Sequence, residues 1–157
     1  MVTRMHKDDE RRAIDLLVKE FYSVFDNRGG RVPRLETLKI ICLPECVVTR
    51  AAADETLTCG LAAFIDPRAA LLTSGELVEF SEEEEHARTE LFGSVAQRVS
   101  TYRKSGVLRG EPYSGRGIKF MQFVRTDGDW RISSIAWEDE RPGLEIPQVF
   151  PPPVDKS

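Results

Sequence analysis

GIKFMQFVR at 117–125, TDGD at 126–129 and WRISSIAWE at 130–138 follow one another without interruption, and their reading decides the fold. Two strand-like runs joined through Asp127-Gly128 form the strongest short-range hairpin signal that a sequence offers. A two-residue turn there sets Arg125 opposite Trp130, Phe123 opposite Ile132 and Met121 opposite Ser134, all on one face. The other face carries Ile118, Phe120, Gln122, Val124, Ser133, Ile135 and Trp137. Both faces are largely apolar, whereas a sheet with one side in water reads apolar on one side and polar on the other. Each side therefore requires a cover, with helices expected on one and a second copy of the chain on the other.

The chain has 157 residues, 41% hydrophobic and 31% charged, which bounds it to a single globular domain with a substantial core. A net charge of -4 gives no electrostatic footprint for nucleic acid. No apolar run approaches the roughly 20 residues of a membrane span, and the first ten residues lack a signal-peptide core, so a cytoplasmic protein is expected. Cys42, Cys46 and Cys59 form neither an even disulfide framework nor a zinc-ligand pattern. They read as small buried hydrophobes in a reducing compartment. No metal site and no cofactor is expected.

Apolar residues Ile14, Leu17, Val18, Phe21, Val24 and Phe25 recur at helical spacing between Asp8 and Asn27, and Gly29-Gly30 closes that helix. A short helical run from Leu35 to Ile41 and a strand over CVVTR at 46–50 follow. Phe64 to Leu72 reads as a further helix, with Asp66 as N-cap and Pro67 at its first position. Four consecutive glutamates, Glu82 to Glu85, read as a solvated edge. Two strands then meet at Phe92-Gly93-Ser94. A three-residue connection places Leu91, Thr89, Ala87 and Glu85 across from Val95, Gln97, Val99 and Thr101 on an inner face. Glu84, His86, Arg88 and Glu90 then oppose Ala96, Arg98, Ser100 and Tyr102 on an outer one. Glycines between Thr101 and Gly117 read as a flexible loop. Residues 1–139 are thus expected to form one domain and residues 140–157 an extended Pro-rich tail.

This order of elements resembles the nuclear transport factor 2-like superfamily, also called SnoaL-like, DUF4440-like or ketosteroid-isomerase-like. The likeness is carried by FYSVFDNRGG, FIDPRAALLTSG, FGSVAQRVSTY and RGIKFMQFVRTDGDWRISSIAWEDE, and it covers roughly Asp8 to Asp139. It implies a cystatin-like α+β cone, a curved antiparallel sheet wrapped around about three helices. Members include isomerases, dehydratases, hydrolases, association domains and transport factors, so the fold alone names no reaction. Tyr22 resembles the oxyanion tyrosine of the ketosteroid isomerases. The position of their catalytic base is held by Arg50, which stays protonated and cannot act as a base. Lys119, after Ile118, stands where they place a second oxyanion donor. Steroid-isomerase chemistry is therefore not expected.

On this reading Tyr22, Arg50, Thr89, Gln97 and Thr101 are the candidate ligand-binding residues, and Tyr22 and Glu85 the candidate catalytic pair. Tyr22 also fits as an amphipathic core residue, and Thr89 and Gln97 could satisfy each other across the strands. His86 reads as a surface or subunit-contact residue, and Trp130 and Trp137 as core and interface anchors. The expected function is small-molecule binding in the cone cavity by a homodimer. Its rivals are an isomerase, dehydratase or hydrolase using the same cavity, and a dimerisation module. Arg50 near the rim biases the pocket towards anionic or carbonyl-bearing ligands.

Overall fold

Among residues 6–151, which the computed structural model describes, the N-terminal helical spacing becomes α1, Lys7–Ser23. The His6 side chain accepts a hydrogen bond from the Asp8 amide at 3.2 Å, and Asp8, Asp9 and Glu10 fill the first turn, where carboxylates suit the helix dipole. Ile14, Val18, Phe21 and Tyr22 face the core. The helix stops short of Asn27 because that residue is used elsewhere. Its side-chain amide donates to Leu72 O at 3.0 Å and Leu77 O at 2.7 Å, and its Oδ1 accepts from Phe80 N at 2.7 Å. Leu72 O is among the last carbonyls of α3, Leu61–Thr73, which have no partner within the helix. One buried asparagine therefore clamps the end of α1 to the passage from α3 into the sheet.

α2 is a single turn, Leu38–Ile41, and β1 runs from Cys42 to Ala51, starting four residues before the expected strand. β2, Thr56–Cys59, pairs with β1 and was not expected. α3 begins after Gly60 rather than at Asp66, because Leu61, Phe64 and Ile65 are buried and extend the apolar face ahead of Pro67. β3 is Leu77–Phe92, β4 Val95–Leu108, β5 Glu111–Thr126 and β6 Asp129–Asp139. The expected loop between Thr101 and Gly117 is in fact β4 and β5, paired out to a turn at Arg109-Gly110, where both residues have positive φ. The six strands form one curved, open sheet in the order β2-β1-β6-β5-β4-β3. β1 is parallel to β6, and the other pairings are antiparallel. None of the described helices is long and apolar enough to cross a membrane.

Registers decide which side chains the cone encloses, and three departures matter. Phe92 pairs with Val95, so the β3–β4 turn is the two-residue Gly93-Ser94 and the faces of β4 exchange. Ala96, Arg98, Ser100 and Tyr102 are buried, and Gln97 is exposed. A bulge at Glu85 then switches β3, pairing Glu84 with Tyr102 and Glu82 with Lys104. The glutamates alternate accordingly: Glu82 pairs with Lys119 and Glu84 with Arg98, while Glu83 and Glu85 hold the exposed Arg103 and Arg116 at 2.8 Å each. In the opening hairpin, Arg125–Trp130 and Phe123–Ile132 pair as read, but a bulge at Ser133 puts Met121 opposite Ile135. Ile135 is consequently buried, and Trp137 turns inward instead of onto the outer face.

Cys42 and Cys46 are buried and Cys59 partly so, all as free thiols. On the outer face, Phe120 is 56% exposed. Ile118, Phe120 and Ala136 border a groove with Leu144, Ile146 and Pro147 of the C-terminal segment.

Replacing Asn27 by leucine removes three buried hydrogen bonds and strands two carbonyls and an amide. It is expected to cost roughly 3–5 kcal/mol, as each buried group left unpaired costs about 1–3 kcal/mol. Urea unfolding of Asn27→Leu beside the parent protein measures this, and a loss under about 1 kcal/mol would show that Asn27 is no clamp.

Candidate functional site

The inward faces of β1, β3, β4, β5 and β6 and one side of α3 converge on a cavity of about 440 Å³. Its apolar wall is a chain of aromatic rings in edge-to-face contact, Phe21 on Phe25, Phe25 on Phe64 and Phe64 on Trp137, with centroids 5.6, 6.2 and 5.7 Å apart. Six charged side chains complete the lining. Arg50 shares the inward parity of Cys46 and Val48 on β1, and Arg68 comes from α3. Glu82, Lys104, Lys119 and Asp139 come from β3, β4, β5 and β6.

Two ion pairs hold four of these charges. Lys119 Nζ contacts Glu82, and the two side chains are only 6% and 10% exposed. The ammonium also lies 3.5 Å from the Tyr102 ring centroid, with the Tyr22 and Trp137 rings at 5.3 and 5.5 Å. Burial draws the Lys119 pKa below the ordinary lysine range, against the opposing pull of Glu82. Lys104 Nζ meets Asp139 at 2.7 Å, and Tyr102 donates its hydroxyl proton to the same carboxylate. Burial works against charge on both members of this pair. Their attraction outweighs it, leaving Asp139 below the usual carboxylate range and Lys104 above the usual lysine range. Burial and the Asp139 hydrogen bond raise the Tyr102 phenol well above its ordinary value. Gly117 makes this contact possible, since a Cβ there would collide with the Tyr102 hydroxyl and the Glu138 carbonyl.

The remaining two charges are arginines with no carboxylate partner among the described residues. Arg50 is exposed at the mouth, and Pro67 of the lining is exposed as well. Arg68 is half-buried, donates to Phe64 O at 3.1 Å and places its guanidinium carbon 4.0 Å from the Phe64 ring centroid and 5.4 Å from that of Trp137. Burial lowers its pKa, and the charge of Arg50 adds to the effect. Four cations against two carboxylates leave the cavity positive, with the surplus at its mouth.

Of the candidate catalytic and ligand-binding residues, Arg50 alone lines this cavity; Lys119 and Trp137, given other places from sequence, line it as well. Tyr22 lies behind it, buried, with its hydroxyl 2.7 Å from Ser100 Oγ. Thr89 Oγ1 accepts from Arg98 at 2.9 Å, within a network in which Arg98 also meets Asp15 and Glu84. Gln97 lies on the exposed face, 3.3 Å from Glu90. Thr101 bonds the backbone of His86, and Glu85 is held by Arg116, so the Tyr22/Glu85 pair is not assembled. His86 is exposed and does not line the cavity. The sequence reading overlooked Arg68, Glu82, Lys104 and Asp139 as site residues. Lys104 shares the parity of Tyr102, and a two-residue turn at Gly93-Ser94 would have pointed both inward.

The fold belongs with the nuclear transport factor 2-like structures. A superfamily protein of that name from Salmonella enterica superposes with a TM-score of 0.70 at 10% identity, covering 87% of this chain and 94% of that one. A hexachlorocyclohexane dehydrochlorinase gives 0.68 at 18% identity, over 85% and 86% of the two chains. A protein of unknown function from Silicibacter pomeroyi gives 0.61 at 17% identity, over 87% and 100%. No family model and no curated protein matches the sequence.

The Lys104–Asp139 pair makes stability depend on pH in a defined direction. Asp139 has a depressed pKa in the folded state, so its contribution is present above its unfolded value of about 4 and disappears as pH falls through the folded one. Lys104 is raised, so its share is present below about 10.4 and is lost as pH rises through its folded value. Asp139→Asn is expected to flatten the acid limb of the unfolding free energy between about pH 5 and 2, read from urea titrations. An unchanged acid limb would remove Asp139 from the pH response.

Proposed function

We propose that the domain binds a small carboxylate ligand with an apolar body in the cone cavity and acts as a homodimer. One observation carries the ligand class: Arg50 and Arg68 line the cavity without a carboxylate partner, and Arg68 is half-buried against Phe64 and Trp137. A desolvated guanidinium gains most from a planar anion that accepts two parallel hydrogen bonds. The aromatic wall supplies apolar contact for the rest of the ligand. The deeper lysines already have carboxylate partners, so selectivity for charge rests on the arginines.

The dimer is argued from the outer sheet face. Phe120 is mostly exposed beside Ile118 and Ala136, and the neighbouring C-terminal segment adds Leu144, Ile146 and Pro147. A second copy presenting the same patch about a two-fold axis would cover it with matching apolar surface. Trp137 borders this groove as well as the cavity, whereas Phe120 borders the groove and not the cavity, so Phe120 is the residue that tests the contact.

Phenylacetate and hexanoate are expected to raise the unfolding temperature through mass action, whereas phenylethanol and hexanol are not. Arg50→Gln and Arg68→Gln each remove a charge-assisted hydrogen bond and weaken acid binding about tenfold. Equal stabilisation by acid and alcohol, or by the acid across all three proteins, rules out this pocket. Separately, sedimentation at micromolar concentration is expected to give a dimer that Phe120→Asp converts to monomer. A monomeric parent protein overturns the dimer.

A further inference from the structure

We infer that Lys119 captures the carbonyl carbon of an oxo acid as an iminium, with Glu82 as its proton partner, in the cavity whose arginines hold the carboxylate end. The inference rests on the carboxylate-binding reading of the same cavity and adds a covalent step to it.

Placement comes first. Lys119 is the deepest cation of the lining, its side chain is 6% exposed, and its immediate proton partner is Glu82. Arg68 and Lys119 both flank Trp137, with the guanidinium carbon and the amine nitrogen 5.4 and 5.5 Å from its ring centroid. A short ligand whose carboxylate meets Arg68 can therefore present a second functional group to Lys119. The rings of Tyr102, Tyr22 and Trp137 around the amine offer it no hydrogen-bonding carbonyl oxygen, so Glu82 is the group that exchanges a proton with it. Burial and the charge of Lys104 favour the neutral amine, the nucleophilic form.

The chemistry balances within these residues. With the shared proton on Glu82, the Lys119 nitrogen lone pair attacks the carbonyl carbon, forming a C–N bond as the C=O π pair moves to oxygen. One nitrogen proton passes to that oxygen, giving a neutral carbinolamine. The hydroxyl then leaves as water, taking the proton of the Glu82 carboxyl, while the nitrogen lone pair closes the C=N bond. Ketone, amine and carboxylic acid thus become iminium, carboxylate and water, and the iminium inherits the ion pair that Lys119 makes with Glu82 in the free protein. No oxidant, metal or further reactant is required.

The test incubates the parent protein with pyruvate, acetoacetate or 4-oxopentanoate and cyanoborohydride, and maps the reduced adducts by peptide mass spectrometry. Lys119 is expected to be labelled at least tenfold faster than the exposed Lys39, and excess hexanoate, which has no carbonyl, is expected to suppress that labelling selectively. Glu82→Gln keeps the amine but removes the proton donor, and is expected to slow labelling at Lys119 at least tenfold. Lys119→Met abolishes the adduct at that position, and thermal unfolding checks that both variants fold. Because hexanoate competition uses the unaltered protein, the inference stays testable if both variants fail to fold. Oxo acids that stabilise the protein yet label Lys119 no faster than Lys39 overturn the iminium and leave carboxylate binding intact. Absence of both stabilisation and labelling overturns the two readings together.

Discussion

A strand presents alternate residues to each face, so a long sheet curled around a helix keeps one set of side chains inside unless its parity is reset. Here it is reset at Glu85 in β3 and at Ser133 in β6, and the site depends on both bulges. Without the first, Glu82 would not meet Lys119. Without the second, Trp137 would sit on the outer face instead of between Arg68 and Lys119. Bulges also increase strand twist, so the features that curve the sheet into a cone also aim its functional side chains.

Charge inside such a cone is costly, and its arrangement limits the cost. An isolated buried ammonium or carboxylate is disfavoured by several kcal/mol, and a close pair recovers part of that. Glu82 with Lys119 and Asp139 with Lys104 are arranged this way, and Tyr102 touches both pairs, through its ring on one side and its hydroxyl on the other. Gly117 yields the space for that bridge. The arginines are placed differently: Arg50 stays in water and Arg68 leans its guanidinium on aromatic faces, a mode that leaves its hydrogen-bonding edge available. Paired charge at the bottom and unpaired charge at the mouth give the cavity a direction.

The order of elements, the amphipathic first helix and the Asp127-Gly128 hairpin were legible because each has a local cause: helical spacing, glycine conformation and turn chemistry. The site was much less so. Arg50 lines the cavity as its place on a short strand implied, because one short strand settles its parity. Gln97 and Thr101 were given the wrong face because the loop Phe92-Gly93-Ser94 reads equally as a two- or three-residue connection, and that choice inverts all of β4; Thr89 keeps its face but is taken up by Arg98, and Glu85 sits at the bulge itself. Trp137 was assigned to an interface because Ser133 carries no residue signature of a bulge. Lys104 was hidden in a glycine-containing stretch that reads as loop, although the glycines serve close packing at Gly106, where a Cβ would come within 3.1 Å of Val78 O, and at Gly117. Parity over a long strand is a tertiary property, decided by what the far side of the cone must bury.

The four glutamates at the start of this curved edge have a consequence for evolution. Since Glu82 and Glu84 point inward while Glu83 and Glu85 hold surface arginines, the stretch is degenerate with respect to a one-residue slip in one direction. A one-residue slip that brings Glu83 and Glu85 inward would still offer carboxylates to the buried Lys119 and Arg98, with Glu84 left for Arg103 and only the exposed Arg116 losing its partner to His86. Indels of that sense are thus buffered electrostatically, whereas a slip the other way would set Ser81 against Lys119. In the buffered direction a lineage could remodel the bulges, and with them the curvature and volume of the cavity, without passing through an intermediate that strands a buried cation.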